Sequence, residues 1–197
     1  MKAYIVFTRI PVEHKTKTRL LPYYTPKQCV GLHTAMLKDL ARTLNGLAAS
    51  IKVYIYYLPE GDVNLIKNIF GDDKTYREQR GEDLGDKMYN AISEVLSEGA
   101  SAVSLSGTDI PLLSTEDIIS SFTNLENNDI VLSPTEDGGY YLVGMKKANK
   151  EIFDIEGYGG SSVYENTKQK IKDMGLSLGT GKSHRDIDTK EDIKAYY

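Results

Sequence analysis

The chain of 197 residues holds one cysteine, three histidines and no tryptophan, and it has no excess of positive charge: 24 Lys and Arg stand against 28 Asp and Glu, a formal net charge of −4. Each scarcity excludes something. With Cys29 alone there is no internal disulfide, and its place in an apolar-periodic stretch predicts a buried thiol and fits a reducing compartment. His14, His33 and His184 are isolated in sequence, which leaves no zinc-type ligand spacing. A nucleic-acid binder is more often basic overall, so the acidic balance argues for a small ligand and against nucleic acid as partner. No apolar run reaches about 18 residues, and no basic-then-apolar leader precedes a small-residue cleavage site. The expectation is a soluble, cytoplasmic chain without a transmembrane segment. Familiar catalytic fingerprints are missing too. No Gly-x-Gly-x-x-Gly follows the first strand, no Gly-x-Ser-x-Gly is present, and Gly181-Lys182-Ser183 fails as a P-loop because Leu176 stands where its first Gly belongs.

What is present begins at the start of the chain. Ala3-Tyr4-Ile5-Val6-Phe7 is a continuous apolar run, the pattern of a central strand covered on both faces. It runs into a loop where Arg9, Lys15, Lys17 and Arg19 stand against Glu13 alone. A basic loop directly after a first strand lies where α/β sheets bind ligands and suits phosphate. Thr25-Pro26-Lys27-Gln28 then carries three helix-start signals, followed by apolar Cys29, Met36, Leu37, Leu40, Leu44 and Leu47 at helical spacing, with Gly46 placed to end the helix. Further strands are expected at 51–57, 102–105, 130–132 and 140–145, with a brief extended piece near 75–78. Helices are expected from an Asp62 cap through Phe70, over 84–96 with Leu84, Met88, Ala91, Ile92, Val95 and Leu96 on one face, from Ser114, over 162–174 up to Gly175, and from a cap at Asp188 with Glu191 three residues on. This alternation predicts an α/β fold, a three-layer α/β/α Rossmann-like sandwich with a mostly parallel sheet. The length suits one domain over 1–197, with no linker, repeat or low-complexity segment.

Two later loops match the first in interest. Ser106-Gly107-Thr108-Asp109-Ile110-Pro111 sets a carboxylate past the carboxyl end of a strand, where it can hold a divalent cation shared with phosphates or simply cap a turn stiffened by Pro111. Thr135-Glu136-Asp137-Gly138-Gly139-Tyr140 has paired glycines that permit close approach to a ligand or a tight hairpin turn. The fourteen tyrosines are expected in packing, although Tyr140 and Tyr141 lie beside those glycines. Because all three loops follow strands, they are expected to project from one edge of the sheet. Cations for phosphates and carboxylates for Mg²⁺ or Mn²⁺ would then meet, as transfer at a nucleotide diphosphate requires.

Together, Phe7-Thr8-Arg9 with Pro11 and Lys17-Thr18-Arg19-Leu20, then Gly107 to Leu112, then Asp137 to Leu142, resemble the radical-SAM/selenodomain-associated transferase family of the glycosyltransferase-A, or nucleotide-diphospho-sugar transferase, superfamily. Gln79 with Asp83-Leu84-Gly85 and Met88, and Asp186-Ile187-Asp188-Thr189 with Glu191-Asp192, match the same pattern. The resemblance implies a glycosyltransferase-A fold that binds a nucleotide or nucleotide-sugar with Mg²⁺ or Mn²⁺. By it, Arg9, Lys17 and Arg19 meet phosphates, Thr108, Gly138 and Gly139 line the nucleotide site, and Gln79 and Asp83 touch base or ribose. Asp109 is the implied metal ligand and catalytic carboxylate, and Asp137 a second ligand or acceptor-side base. The chain departs from the pattern at His14, where the family loop usually has Gly, and at Tyr158, where it often has Trp. The leading expectation is a metal-dependent glycosyltransferase using a nucleoside-diphosphate sugar and an acceptor that the sequence does not name. The alternatives are a nucleotidyltransferase that acts on a phosphorylated small molecule with pyrophosphate release, and a non-catalytic nucleotide-binding module.

Overall fold

The computed structural model describes residues 1–155 and 157–196. Seven strands form one sheet: β1 (Lys2–Arg9), β2 (Ile51–Leu58), β3 (Thr75–Glu78), β4 (Ala102–Ser106), β5 (Ile130–Pro134), β6 (Tyr140–Met145) and β7 (Leu178–Thr180), in the order β3-β2-β1-β4-β6-β5-β7. β1 pairs in parallel with both β2 and β4, and β5 with β7, whereas β6 runs antiparallel between β4 and β5. The sheet is therefore mostly parallel, and β1, β4 and β5 point the same way. The loops that follow them leave from one edge, as expected.

Alternation along β1 splits the core into two layers. Ala3, Ile5 and Phe7 face the cluster built with α3 (Leu84–Ser97) and α5 (Val163–Asp173), through Met88, Ile92, Val95 and Ile171. Tyr4 and Val6 face the opposite cluster, where α1 (Pro26–Asn45), α2 (Asn64–Phe70) and α4 (Thr115–Asn127) bring Leu37, Leu40, Ile66, Phe70, Ile118 and Phe122. Six of the eight β1 residues are buried, because helices cover both faces. This is the predicted three-layer α/β/α arrangement. A polar seam crosses the second layer, where buried Ser104 and Ser121 hydroxyls lie 2.8 Å apart and the Tyr4 hydroxyl meets Ser106. Desolvation pushes the Tyr4 phenol well above its ordinary range, against the Ser106 hydrogen bond.

Helix starts follow from local chemistry. At α1, Thr25 and Gln28 form a full capping box with Pro at the first helical position, and at α4 Ser114 and Asp117 do the same. Such a cap is worth about 1 kcal/mol over alanine. Three local expectations need correction. The last helix, α6 (Lys190–Lys194), is capped by Thr189 with Asp192, because the Asp188 side chain is drawn away by Arg19. The capping position before α2 is Val63, and the Asp62 carboxylate accepts from the N–H of Asn64, the first residue of the helix. Leu84 is 46% exposed, since it opens α3 over the cavity described below. Gly46 does end α1, but with φ −81°, so its value is space: a Cβ there would stand 2.7 Å from Thr115 Oγ1. Cys29 is buried, and desolvation raises its thiol pKa.

Candidate active site

The loop after β1 folds on a buried threonine. Thr16 Oγ1 accepts from Val12 N at 3.0 Å and donates to Ile10 O, while Val12 O accepts from Lys15 N and Thr16 N. So tight a turn forces His14 and Lys17 into the left-handed region, at φ +62° and +51°. Glycine meets that geometry without a Cβ penalty, which gives a physical reason for Gly at the position of His14 in the resembled pattern.

The turn delivers Lys17 to a junction. Its ammonium, almost fully buried, sits 2.8 Å from Asp109 Oδ1 and 3.8 Å from Asp188 Oδ1, and it donates to Ile187 O. Ile187 N in turn donates to Asp109 O at 2.9 Å, and Arg19 pairs with Asp188. One lysine thus ties together the basic loop, the loop after β4 and the segment before α6. Asp109 is itself 42% exposed, so one side of its carboxylate still faces solvent.

Two adjoining cavities open here. The larger, about 540 Å³, is lined by Arg9, Lys15, Lys17, Arg19 and Lys87 with only Asp109 and Asp188 as carboxylates, and Thr108 and Gln79 are on its wall. Gln79 spends its side-chain N–H groups on Thr8 O and Tyr56 O, both at 3.1 Å, which leaves its side-chain oxygen as an acceptor. The smaller, about 280 Å³, is lined by Asp109, Asp137, Asp186 and Asp188, with Arg19 as its one cation among the described residues. Arg19, Asp109 and Asp188 belong to the wall both share.

The turn between β5 and β6 is a hairpin, with Pro134 opposite Tyr140 and Thr135 N bonded to Gly139 O. Asp137 Oδ1 accepts from Gly139 N at 3.0 Å and from Thr135 Oγ1, so the turn fixes this carboxylate at the smaller cavity. Gly138, at φ +94°, lines neither cavity. A Cβ there would lie 2.0 Å from Ser161 O, so its role is to let the 157–162 segment pass. Asp83 also lies outside both linings and caps α3 by accepting from Asp86 N at 2.7 Å. Gly139 is on the smaller cavity's wall. The structure therefore brings Arg9, Lys17, Arg19, Gln79, Thr108, Asp109, Asp137 and Gly139 to one cleft and leaves Asp83 and Gly138 behind it.

Asp186 and His33 also line the cleft, although neither stands out as a site residue in the sequence. Burial, with the charges of Asp137 and Asp188 nearby, pushes the Asp186 carboxyl up to about 6. A raised carboxyl in a cleft is a recognised mark of a working site. His33 lines the larger cavity and is 3% exposed. Its Nε2 lies 3.1 Å from Arg9 O, a pure acceptor, so Nε2 carries the proton and the buried Nδ1 is left without a partner among the described residues. Burial holds this imidazole below the ordinary histidine range against the pull of Asp109. The signal for His33 was its helical spacing with Cys29, Met36 and Leu37, and for Asp186 the Asp-x-Asp pair it forms with Asp188. His184 instead serves the scaffold: it is buried and its Nε2 meets Asp117 Oδ2 at 2.9 Å. Burial raises the Asp117 carboxyl, but hydrogen bonds from Ser114 and His184 outweigh it and leave the group below its usual range.

The donor chemistry fits a hard cation. Carboxylate oxygens face the cleft, whereas no cluster of three or more His, Cys, Asp or Glu able to cage a metal occurs among the described residues. Such a set suits Mg²⁺ or Mn²⁺ held by one or two carboxylates and shared with phosphates.

Known proteins share this fold. A structure described as a nucleotide-diphospho-sugar transferase from Desulfovibrio desulfuricans matches with a TM-score of 0.91 and 29% identity, over 100% of this chain and 86% of that one. A 4-diphosphocytidyl-2C-methyl-D-erythritol synthase from Anaerococcus prevotii matches in fold with a TM-score of 0.65 at 13% identity, over 100% of this chain and 97% of the other. In sequence, 2-phospho-L-lactate guanylyltransferase of Methanothermobacter thermautotrophicus is 25% identical over 190 residues, 93% of this chain and 80% of the relative. No helix among the described residues is long and apolar enough to cross a membrane. The family model described as "Uncharacterized protein conserved in bacteria (DUF2064)" matches residues 36–159, and the chain belongs to that family.

Proposed function

We propose that the chain is a nucleotidyltransferase that joins the α-phosphoryl group of a nucleoside triphosphate to a phosphorylated small molecule and releases pyrophosphate, with residues 1–197 as one catalytic unit. The observation that carries this reading is the opposite polarity of the two cavities: five cations line the larger, while four carboxylates and one cation line the smaller. A triphosphate suits the first and an acceptor the second. The curated relatives named as guanylyltransferases support nucleotidyl over glycosyl transfer and make GTP the first triphosphate to test.

In this scheme an oxygen of the acceptor phosphate attacks the α-phosphorus. The bond from that phosphorus to the oxygen bridging to the β-phosphate breaks, and its electron pair leaves with pyrophosphate. Arg9, Lys17 and Arg19 stabilise the charge that develops on the leaving group. Thr108 and Gly139 line the path, and the Gln79 side-chain oxygen is available to the base. No general base is needed for an already ionised phosphate oxygen, so Asp137 is free to serve as a metal ligand rather than as a base. Asp109, with Asp137 as a second ligand, would hold Mg²⁺ or Mn²⁺, which when bound neutralises phosphate charge. The narrower resemblance to the radical-SAM/selenodomain-associated transferases implies binding of a nucleotide or a nucleotide-sugar and is compatible with either transfer. Sugar transfer from a nucleoside-diphosphate sugar is the second reading, favoured by the likeness to the Desulfovibrio protein.

The test is pyrophosphate release by the purified protein with GTP, CTP, UTP or ATP, Mg²⁺ and a panel of phosphate monoesters. Release with one triphosphate is expected, and Asp109→Asn should lower kcat by about 100-fold or more. Release of a nucleoside diphosphate from a diphospho-sugar, without pyrophosphate, would replace this reading with the glycosyl one. Nucleotide binding unchanged in Asp109→Asn, with no turnover of either donor class, would indicate a binding module.

A further inference from the structure

The smaller cavity constrains the acceptor beyond its phosphate. Its inner wall is apolar, built from Met88, Leu105, Val143 and Val163. Around this surface stand Asp109, Asp137, Asp186 and Asp188, and the one lining cation among the described residues, Arg19, is already paired with Asp188. The Tyr140 hydroxyl on the same wall is buried and has no hydrogen-bond partner among the described residues. An acceptor phosphate fits where Arg19, at the end of the basic loop, stands in the wall shared with the larger cavity. The rest of the molecule must then extend toward the apolar surface and its carboxylates. With Asp109 and Asp137 taken up by the divalent cation and Asp188 by Arg19, a second anionic group on that body would face the Asp186 carboxylate, and like charges at close range in a partly desolvated site repel strongly. A hydroxyl or an ammonium group would instead meet carboxylate acceptors.

Building on the nucleotidyl-transfer reading, we infer that the acceptor is a phosphate monoester with an apolar body whose other polar groups are hydroxyl or amine, and not a phosphorylated carboxylic acid. This separates the chain from its guanylyltransferase relatives, whose named substrate, 2-phospho-L-lactate, carries a carboxylate.

The experiment compares 2-phospho-L-lactate with its carboxamide, which keeps size and shape and removes the charge. Binding of each to the full chain is measured by calorimetry with α,β-methylene GTP and Mg²⁺ present, and pyrophosphate release is followed separately with GTP. The carboxamide is expected to bind at least tenfold more tightly than the acid, and Asp186→Asn is expected to shrink that ratio several-fold. Equal affinities, tighter binding of the acid, binding of neither, or a ratio unmoved in folded Asp186→Asn would overturn the inference. Absence of pyrophosphate with a preserved tenfold preference would sink the transfer reading alone, because the preference is read from binding.

Discussion

His33 joins the basic loop to the first helix through a single hydrogen bond, and its burial gives that bond a pH dependence. The imidazole is held below the ordinary histidine range, chiefly by desolvation, so near neutral pH it is uncharged in the folded protein. As pH falls through about 6.5, the unfolded chain takes up a proton that the folded chain resists, so stability is lost on the acid side and retained above. Each pH unit within this window removes up to about 1.4 kcal/mol. Replacing the group with one that does not titrate should flatten this part of the profile. Urea unfolding at pH 7.5, 6.5 and 5.5 is therefore expected to show a shallower acid loss for His33→Phe than for the natural chain, even though the variant is less stable throughout for want of the bond to Arg9 O. Parallel profiles would mean that this ring is not the titrating group. Nothing in the sequence pointed to this behaviour, because a histidine among apolar residues at helical spacing reads as packing until the Arg9 carbonyl is placed opposite it.

The β5–β6 hairpin shows how an element can serve a site through a residue that never reaches it. Gly138 combines a left-handed φ of +94° with a backbone crossing so close that a Cβ would overlap Ser161 O. Its own carbonyl accepts from Tyr164 N at 2.9 Å, at the start of α5, so turn, crossing segment and helix move together. Gly138→Ala should cost more than about 2 kcal/mol and displace Asp137 with the turn, whereas Gly99→Ala, at a glycine with open space around it, should cost less. Chemical denaturation of both variants checks the difference, and similar losses would show that the Ser161 crossing yields easily. The paired glycines were legible as either a hairpin turn or a ligand loop, and the structure makes the hairpin while its neighbours Asp137 and Gly139 line the cavity. The capping boxes of α1 and α4 were legible too, since Thr-Pro-x-Gln and Ser-Thr-x-Asp encode them within four residues. The role of Asp188 was not, because its partner Arg19 is 169 residues away.

At the scale of the whole molecule, the strand alternation was readable from local periodicity, but the insertion of β6 against the run of the sheet was not, since pairing between β4 and β6 depends on contacts distant in sequence. The direction of β5, from which β6 turns back, sets the Asp137 turn on the same edge as the loops after β1 and β4. The charges that meet there are in part spent on one another: Lys17 on Asp109 and Arg19 on Asp188. A polyphosphate and a divalent cation entering together can replace these internal pairs without leaving either sign unanswered, whereas either alone leaves one set of charges facing its own kind. Stabilisation by triphosphate should therefore depend on metal. At 100 times its Kd a ligand adds about 2.7 kcal/mol, which for a chain of this size corresponds to roughly 5–10 °C in Tm. A thermal-shift series with GTP and Mg²⁺ is expected to reach that range, to fall to half or less when EDTA removes the metal, and to exceed the shift from GDP-sugars. A larger shift from a diphospho-sugar would move the reading to glycosyl transfer, and no shift from any nucleotide would mean that the basic loop holds its carboxylates for structure alone.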